Sequence, residues 1–292
     1  MSLAPRVVLV HRRTEYAELL ARHGTRGQIE FFLASRGRDV VELVRREERM
    51  RAAMAEVAAA VPLDWRRGSV ERADLSRFLF APEDIVVVVG PDGLVANVAK
   101  YLSGQPVIGI NPEPERNSGV LVAHPPSATA DLLRSRGAQQ VRTMVEIDAD
   151  DGQKLLALNE IYLGNPTHQT ARYTLRAGEV AAERQASSGI LVGTGTGATG
   201  WCRSVWQERK SGLGLPAPEE RRLLWFVREA WPSPSTGTAN TEGELTDARL
   251  TVEVESDQLV AFGDGIEADG IRLRWGQRLT IGLAARTLRL VR

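Results

Sequence analysis

The strands that this chain predicts change character along its length, and that change constrains the fold more than any other feature. Residues 6–10 (Arg-Val-Val-Leu-Val), 85–89 (Ile-Val-Val-Val-Val) and 106–110 (Pro-Val-Ile-Gly-Ile) are short, continuously apolar runs. Such runs are typical of strands that are buried on both faces of a parallel sheet. A helical pattern that starts with Asp39 and Glu42 lies between the first two runs, so this part predicts an α/β layer.

The C-terminal part predicts antiparallel sheet instead. In residues 250–255, Leu, Val and Val alternate with Thr, Glu and Glu, and a similar alternation returns in residues 271–281. Alternating strands that are separated by Gly and Asp turns are typical of antiparallel sheets with one covered face. Less regular strand candidates are the stretches 155–163, 171–175, 189–193 and 223–228.

The length of 292 residues predicts two domains, since it is about twice that of a typical single domain. We predict an α/β domain over residues 1–125 and an antiparallel, sandwich-like, all-β domain over residues 126–282. The last segment, 283–292, is predicted to be a strand that returns to the N-terminal domain.

Composition excludes several classes of protein. Lys+Arg and Asp+Glu are 37 each, so the chain lacks the basic excess of proteins that coat nucleic acid or anionic membranes. The single cysteine, Cys202, excludes an intramolecular disulfide and is interpreted as a core residue. No apolar run is long enough to cross a membrane, and the N-terminus does not resemble a signal peptide. We expect a cytoplasmic protein without nucleic-acid or membrane partners and without a metal site built by the chain.

The first candidate site is the stretch 90–93 (Gly-Pro-Asp-Gly), which follows a buried strand and precedes a predicted helix. Ligands of open α/β sheets collect at the carboxyl ends of the strands. An aspartate placed there, Asp92, can accept a proton from an attacking hydroxyl or help to hold a metal ion on phosphates. Pro-Asp-Gly is also a common β-turn sequence, so both interpretations stay open.

The second candidate is the stretch 193–201 (Gly-Thr-Gly-Thr-Gly-Ala-Thr-Gly-Trp). It contains the string Gly-x-Gly-x-x-Gly, but no βαβ unit follows and no acidic residue ends a strand about 20 residues on, so a Rossmann site is not predicted. Its glycines and threonines still offer a backbone that phosphates can approach closely, with N–H and hydroxyl donors. The alternative is a glycine-rich hairpin or the start of a helix.

Two further candidates carry carboxyl groups. Asn159 and Glu160 lie in an apolar stretch, where adjacent polar groups are costly unless they are satisfied. They form either the polar face of an alternating strand or a pair that grips a diol. Residues 263–265 (Gly-Asp-Gly) lie between two predicted strands, where Asp-Gly is first of all a hairpin signal.

Taken in order, these segments resemble the NAD kinase family. That family has a Gly-Gly-Asp-Gly turn after a strand, then Gly-Ile-Asn, Asn-Glu, a Thr/Gly-rich loop, and an Asp-Gly in its β domain. The counterparts here are residues 90–93, 109–111, 159–160, 193–201 and 263–265. The segments 111–119, 158–161 and 187–197 resemble the mitochondrial-type branch in particular.

The resemblance implies an NAD kinase-like fold of an α/β and a β-rich domain, with the site in the cleft between them. It implies transfer of a phosphoryl group from ATP or polyphosphate, with Mg²⁺ carried on the donor, to the 2′-hydroxyl of NAD. The product would be NADP, and the protein would be a homodimer or a higher homo-oligomer. Asp92 would be the base, and Gly90 and Gly93 would shape the phosphate-facing turn. The residues implied in substrate binding are Asn111, Asn159, Glu160, Thr194, Thr196, Gly197 and Thr199, with Asp264 as a secondary candidate.

Departures from the family pattern keep other functions open. Pro91 replaces the second glycine of the turn and removes an N–H group that could bind phosphate. Leu94 replaces a threonine, and residues 198–201 (Ala-Thr-Gly-Trp) replace Ser-Thr-Ala-Tyr. NAD phosphorylation is the leading hypothesis. The alternatives are a kinase of the same fold that acts on a nucleoside, a sugar or a lipid-like alcohol, and a dinucleotide-binding regulator with impaired turnover.

Overall fold

The three apolar runs of the N-terminal part form neighbouring parallel strands in the computed structural model, which describes residues 4–135 and 137–292. The strands are β1 (Arg6–His11), β2 (Arg66–Glu71), β3 (Ile85–Val89) and β4 (Pro106–Ile110), in the spatial order β2-β1-β3-β4. Every residue of β3 is buried, as predicted for a strand that is covered on both faces. Near the C-terminus, Arg289 and Leu290 pair in parallel with β4.

The chain divides into two units, and the predicted combination of an α/β part with a β-rich part is confirmed. The first unit extends to Gln140 and includes Arg289–Arg292, and the second unit is Val141–Leu288. The boundary predicted at residue 125 therefore lies inside the first unit, and the predicted terminal segment 283–292 contributes residues to both units. Residues 1–3 of the predicted first domain lie outside the described residues.

Three of the helices of the first unit begin at a capping side chain. The helices of this unit are α1 (Glu15–His23), α2 (Arg26–Ala34), α3 (Val40–Ala60), α4 (Asp92–Ala99) and α5 (Thr129–Ser135), with short 3₁₀ helices at Arg72–Arg77 and Pro126–Ala128. The side chains of Thr14, Thr25 and Asp39 cap α1, α2 and α3, so the predicted start of α3 is confirmed. Val57 of α3 packs on the sheet beside Ile108. Within the described residues, no helix has the length and apolar character needed to cross a membrane.

The second unit is built mainly from antiparallel strands. They are β5 (Gln139–Ala149), β6 (Lys154–Ala157), β7 (Glu160–Gly164), β8 (Ala171–Ala177), β9 (Glu183–Ser187), β10 (Gly189–Gly193), β11 (Leu223–Arg228), β12 (Glu242–Leu245), β13 (Leu250–Val254), β14 (Leu259–Gly263), β15 (Ile266–Leu273) and β16 (Arg278–Val291). Helix α6 (Trp201–Arg209) follows a 3₁₀ helix at Gly197–Thr199.

Two sheets of this unit share one apolar core. One sheet has the order β12-β11-β10-β7-β14-β15, and the other joins β16, β13, β8 and β9, with β5 paired to β16 and β6. Leu250, Val252 and Val254 are fully buried, while Thr251 and Glu253 between them are partly exposed. The predicted alternation of β13 is thus confirmed, because its inner face packs into the core between the sheets.

The predicted strand over 155–163 is wrong in one respect: it is two strands, β6 and β7, interrupted at Leu158 and Asn159. The reason is a long-range contact, because the backbone N–H groups of both residues donate to the carboxylate of Asp264. The predicted hairpin at Asp264 and Gly265 is present between β14 and β15, and both residues have positive φ, at 54° and 68°. Such φ values are required of a tight hairpin turn.

Candidate functional site

The first group of candidate residues lies at the carboxyl ends of β3 and β4. Asp92 is the first residue of α4, directly after β3. Its carboxylate accepts backbone N–H groups from Val120, Leu121 and Val122 at 3.0, 2.7 and 2.9 Å. A carboxylate has about four acceptor positions, so about one remains for a ligand. The side chain is therefore held in one orientation and keeps the capacity to accept a proton or a hydrogen bond.

Two residues of the Gly-Ile-Asn segment shape the loop that reaches Asp92. A Cβ on Gly109 would come within 2.1 Å of the Leu121 carbonyl oxygen, so only glycine lets the loop pass this closely. Asn111 is buried, donates from Nδ2 to the Asn117 carbonyl at 3.1 Å, and accepts the N–H of Glu113 at 3.0 Å. In this structure Asn111 holds the loop together.

The second group lies in the second unit, where Asp264 organises the backbone. Its carboxylate accepts the N–H of Leu158 at 2.9 Å and the N–H of Asn159 at 2.7 Å. The N–H of Asp264 in turn donates to the Glu160 carbonyl at 3.1 Å. These three bonds fix the entry to β7, so Asp264 is both a hairpin residue and the support of the Asn-Glu pair.

The Thr/Gly-rich loop is bonded to the same segment. The Thr194 hydroxyl donates to the Leu158 carbonyl at 2.6 Å and accepts the N–H groups of Thr196 and Gly197 at 3.1 and 3.2 Å. The N–H of Thr194 donates to the Asn159 carbonyl at 2.9 Å. A single hydroxyl thus closes the loop onto the start of β7.

Gly197 shows one reason for the glycines of this loop, because it packs closely against the Asn-Glu pair. A Cβ at this position would lie 2.2 Å from the Asn159 carbonyl oxygen and 3.0 Å from Glu160 Oε2. Any larger residue would push the loop away from the Asn-Glu pair. Thr199 differs, because it is exposed and its hydroxyl donates to the Thr196 carbonyl at 2.9 Å.

Glu160 is the least satisfied of these carboxyl groups. Its side chain is largely buried, and no side chain or N–H group among residues 4–135 and 137–292 donates a hydrogen bond to it. Burial, together with the negative charge of Asp264, raises the pKa of Glu160 to about 7. A donor-free carboxyl group whose pKa is raised toward neutrality is suited to bind hydroxyl groups of a ligand.

The structure therefore brings most of the predicted residues into two groups, one in each unit. Gly90, Asp92, Gly93 and Asn111 belong to the first group, and Asn159, Glu160, Thr194, Thr196, Gly197 and Asp264 to the second. Thr199 lies at the exposed end of the Thr/Gly-rich loop. No three His, Cys, Asp or Glu side chains of the described chain gather as metal ligands.

An aromatic pocket that includes Tyr162 of β7 was not predicted from the sequence. The pocket has a volume of about 410 Å³, and Tyr162, Trp201 and Phe262 line it. Tyr162 stacks on Trp201 with ring centroids 5.4 Å apart, and the Arg228 guanidinium lies 5.4 Å from the Trp201 ring centroid. Tyr162 shares a face of β7 with Glu160, two residues away, and this alternation is the signal that could have revealed it.

Arg142 is a second residue that the sequence analysis missed. It is 1 % exposed on β5, and its Nη1 lies 3.4 Å from the hydroxyl of Thr196. Burial of an arginine is expensive unless polar groups surround it. The available signal was an arginine close to the apolar residues Val141, Met144 and Val145.

Comparisons with known proteins agree with the resemblance seen in the sequence. No protein-family model matches the chain. The chain is 26 % identical to an NAD kinase of Caldicellulosiruptor saccharolyticus over 215 residues, which are 72 % of this chain and 76 % of that protein. Its fold matches that of yeast NADH kinase, solved in complex with NADH, with a TM-score of 0.65 and 12 % identity, over 100 % of this chain and 84 % of the other. The resemblance to the NAD kinase family and the predicted two-domain fold are confirmed, and the mitochondrial-type branch stays a prediction.

Proposed function

We propose that this relative of the NAD kinases transfers a phosphoryl group to the 2′-hydroxyl of NAD and so makes NADP. The comparisons support the coarser statement, a phosphotransferase with an alcohol acceptor that phosphorylates NAD or NADH. The single observation that carries the proposal is the Glu160 carboxyl group, which is largely buried without a donor among the described residues and shares a face of β7 with Tyr162 of the aromatic pocket. A dinucleotide offers both matching parts, since its riboses carry hydroxyl pairs and its bases stack on aromatic rings.

Asp92 is the proposed base. Its remaining acceptor position takes the proton of the 2′-hydroxyl while the hydroxyl oxygen bonds to the terminal phosphorus of the donor. The bond from that phosphorus to its bridging oxygen breaks, and the shortened donor leaves with the electron pair. The three N–H groups that hold Asp92 keep the carboxylate oriented throughout, which suits a reaction that depends mainly on positioning.

Mg²⁺ enters this proposal as part of the donor. The described residues gather no set of three ligands for it, and Mg²⁺ commonly binds through one or two carboxylates and the phosphates of a substrate. The residues present therefore fit a metal that arrives on ATP or polyphosphate and neutralises phosphate charge. A homo-oligomer, as in the family, is also part of the proposal and is tested by sedimentation.

One observation favours a second function. Pro91 offers no N–H at the turn, so a weak interaction with the donor would leave a protein that binds NAD without turning it over. Such a regulator predicts NAD binding in the absence of any product.

The test is direct detection of NADP by mass spectrometry after incubation with NAD, Mg²⁺ and either ATP or polyphosphate. We expect NADP, and we expect Asp92→Asn to lower its rate of formation by about 10²–10⁴-fold. The matched control is Asp131→Asn, in the same unit, whose side chain is 88 % exposed. Binding of NAD without product would support the regulator, and full activity of Asp92→Asn would remove the assigned base.

A further inference from the structure

A pocket in the first unit lies where β1 and β3 end. The two strands are parallel neighbours, so the residues after His11 and after Val89 meet at the same edge of the sheet. The pocket has a volume of about 270 Å³, and Arg12, Arg13 and Arg46 line it together with Gly90 and Pro91 of the turn.

The acidic residues of this pocket are paired with arginines, whereas two of its arginines have no acidic partner among the described residues. Its two acidic residues already have arginine partners: Arg38 holds Glu15 at 2.7 and 3.0 Å, and Arg46 holds Glu113 at 3.0 and 3.3 Å. Arg12 and Arg13 are exposed, and within the described part of the chain their guanidinium groups pair with no acceptor. The pocket therefore presents two available cations to a ligand.

The size and chemistry of the pocket fit a chain of phosphates. Its volume is below the roughly 300–1,000 Å³ of pockets that enclose a whole small molecule. A guanidinium presents five N–H donors in a planar fork that matches phosphate oxygens. At the turn, Pro91 has no N–H to give, and the two arginines line the same pocket as the turn.

We propose that Arg12 and Arg13 bind the phosphate chain of the donor and take over the part that a backbone N–H of the turn would otherwise have. The ligand is an unbroken chain of phosphates, found both in inorganic polyphosphate and in a nucleoside triphosphate. This inference rests on the proposed function, because it assigns residues to the donor of that reaction.

The test measures binding by titration calorimetry without NAD, with inorganic tripolyphosphate as one probe and ATP as the other. The variant is Arg12→Gln/Arg13→Gln, and the control is Arg77→Gln/Arg134→Gln, which removes the same charge from exposed positions outside the pocket. We expect the Arg12/Arg13 variant to lose about tenfold or more in affinity and the control to keep the wild-type affinity. Loss with both probes assigns the subsite to phosphate chains in general, and loss with ATP alone assigns it to a nucleotide.

Three results would overturn the proposal: a wild-type protein that binds neither probe, a variant that binds like wild type, or a control that loses as much affinity. Thermal unfolding of each variant checks that the fold is intact. Activity separates this inference from the proposed function. NADP formation with an unchanged donor KM in the Arg12/Arg13 variant would keep the function and remove the subsite. Arginine-dependent tripolyphosphate binding without any NADP would keep the subsite and remove the function.

Discussion

The two groups of site residues each contain a carboxyl side chain, and the surroundings of Asp92 and Glu160 are opposite. Asp92 receives three backbone N–H bonds, whereas no described residue donates to the side chain of Glu160. In the second group, the N–H groups of Leu158 and Asn159 donate to Asp264 instead. Backbone donors therefore make one carboxylate a rigid acceptor, while burial without donors raises the pKa of the other to near neutrality.

The sharpest contrast is expected in kinetics. If Asp92 acts on the proton and Glu160 on binding, Asp92→Asn lowers kcat by about 10²–10⁴-fold. Glu160→Gln instead raises the KM for NAD by about tenfold, with a smaller change in kcat. Steady-state kinetics at saturating donor give both constants. An equal loss of kcat in the two variants would show that they share one role.

The close packing of Gly197 predicts that a single added methyl group lowers the stability of the protein. Gly197→Ala places a methyl group 2.2 Å from the Asn159 carbonyl oxygen, so the loop must shift, at a cost of about 1–3 kcal/mol. Urea unfolding measures the loss, and NAD affinity should fall with it. Gly212→Ala is the matched control, since a Cβ there meets nothing within 4 Å. Equal stability of both variants would mean that the loop does not need this close approach.

The titration of Glu160 predicts a pH dependence of stability. Folding raises the pKa of this group from 4.5 to about 7, so the folded protein holds its proton more tightly than the unfolded chain does. The stability that this group contributes is fully present below about pH 4.5 and is lost as the pH rises through about 7. Glu160→Gln should flatten the fall in unfolding free energy across this window, and the exposed Glu179→Gln should not. If the unfolding free energies of wild type and Glu160→Gln changed in parallel with pH, the raised pKa of Glu160 would be contradicted.

The two ends of the Thr/Gly-rich loop predict effects of different size, and the exposed end predicts the smallest effect. Thr194→Val removes a hydroxyl that makes three hydrogen bonds, and we expect a loss of about 1–3 kcal/mol. Thr199→Val removes one bond at an exposed position, and its effect should stay within about 0.5 kcal/mol. Thermal denaturation of the pair measures both losses. A reversed order would mean that the buried hydroxyl does not close the loop.

Features that depend on neighbouring residues could be predicted from the sequence. The run Ile85–Val89 indicated a strand buried on both faces, and it is one. Asp39 indicated a helix start, and its carboxylate caps α3. Asp264 indicated a hairpin, and it lies in one with positive φ. In each case the signal and its cause lie within a few residues, where period, capping and turn chemistry decide the conformation.

Features that depend on distant residues could not be predicted in the same way. The break between β6 and β7 arises because Asp264 binds the N–H groups of Leu158 and Asn159. These two residues are 106 and 105 positions before Asp264 in the sequence. The sequence marks Arg142 only as a charged residue close to apolar ones, and its contact with Thr196 spans 54 positions. The aromatic pocket needed β7 and β14 to be paired before Tyr162 and Phe262 could meet.

The two kinds of sheet, the start of α3, the hairpin and the family resemblance could be inferred from the sequence, because each is encoded in local pattern and in the order of short motifs. Which carboxyl groups receive backbone N–H groups, and which stay without donors, depends on the tertiary structure. Asp92 and Glu160 are both acidic residues that border an apolar strand, Asp92 just after β3 and Glu160 at the start of β7. They differ because the loop at residues 120–122 folds back onto Asp92, whereas the N–H groups of Leu158 and Asn159 are bound by Asp264 and not by Glu160.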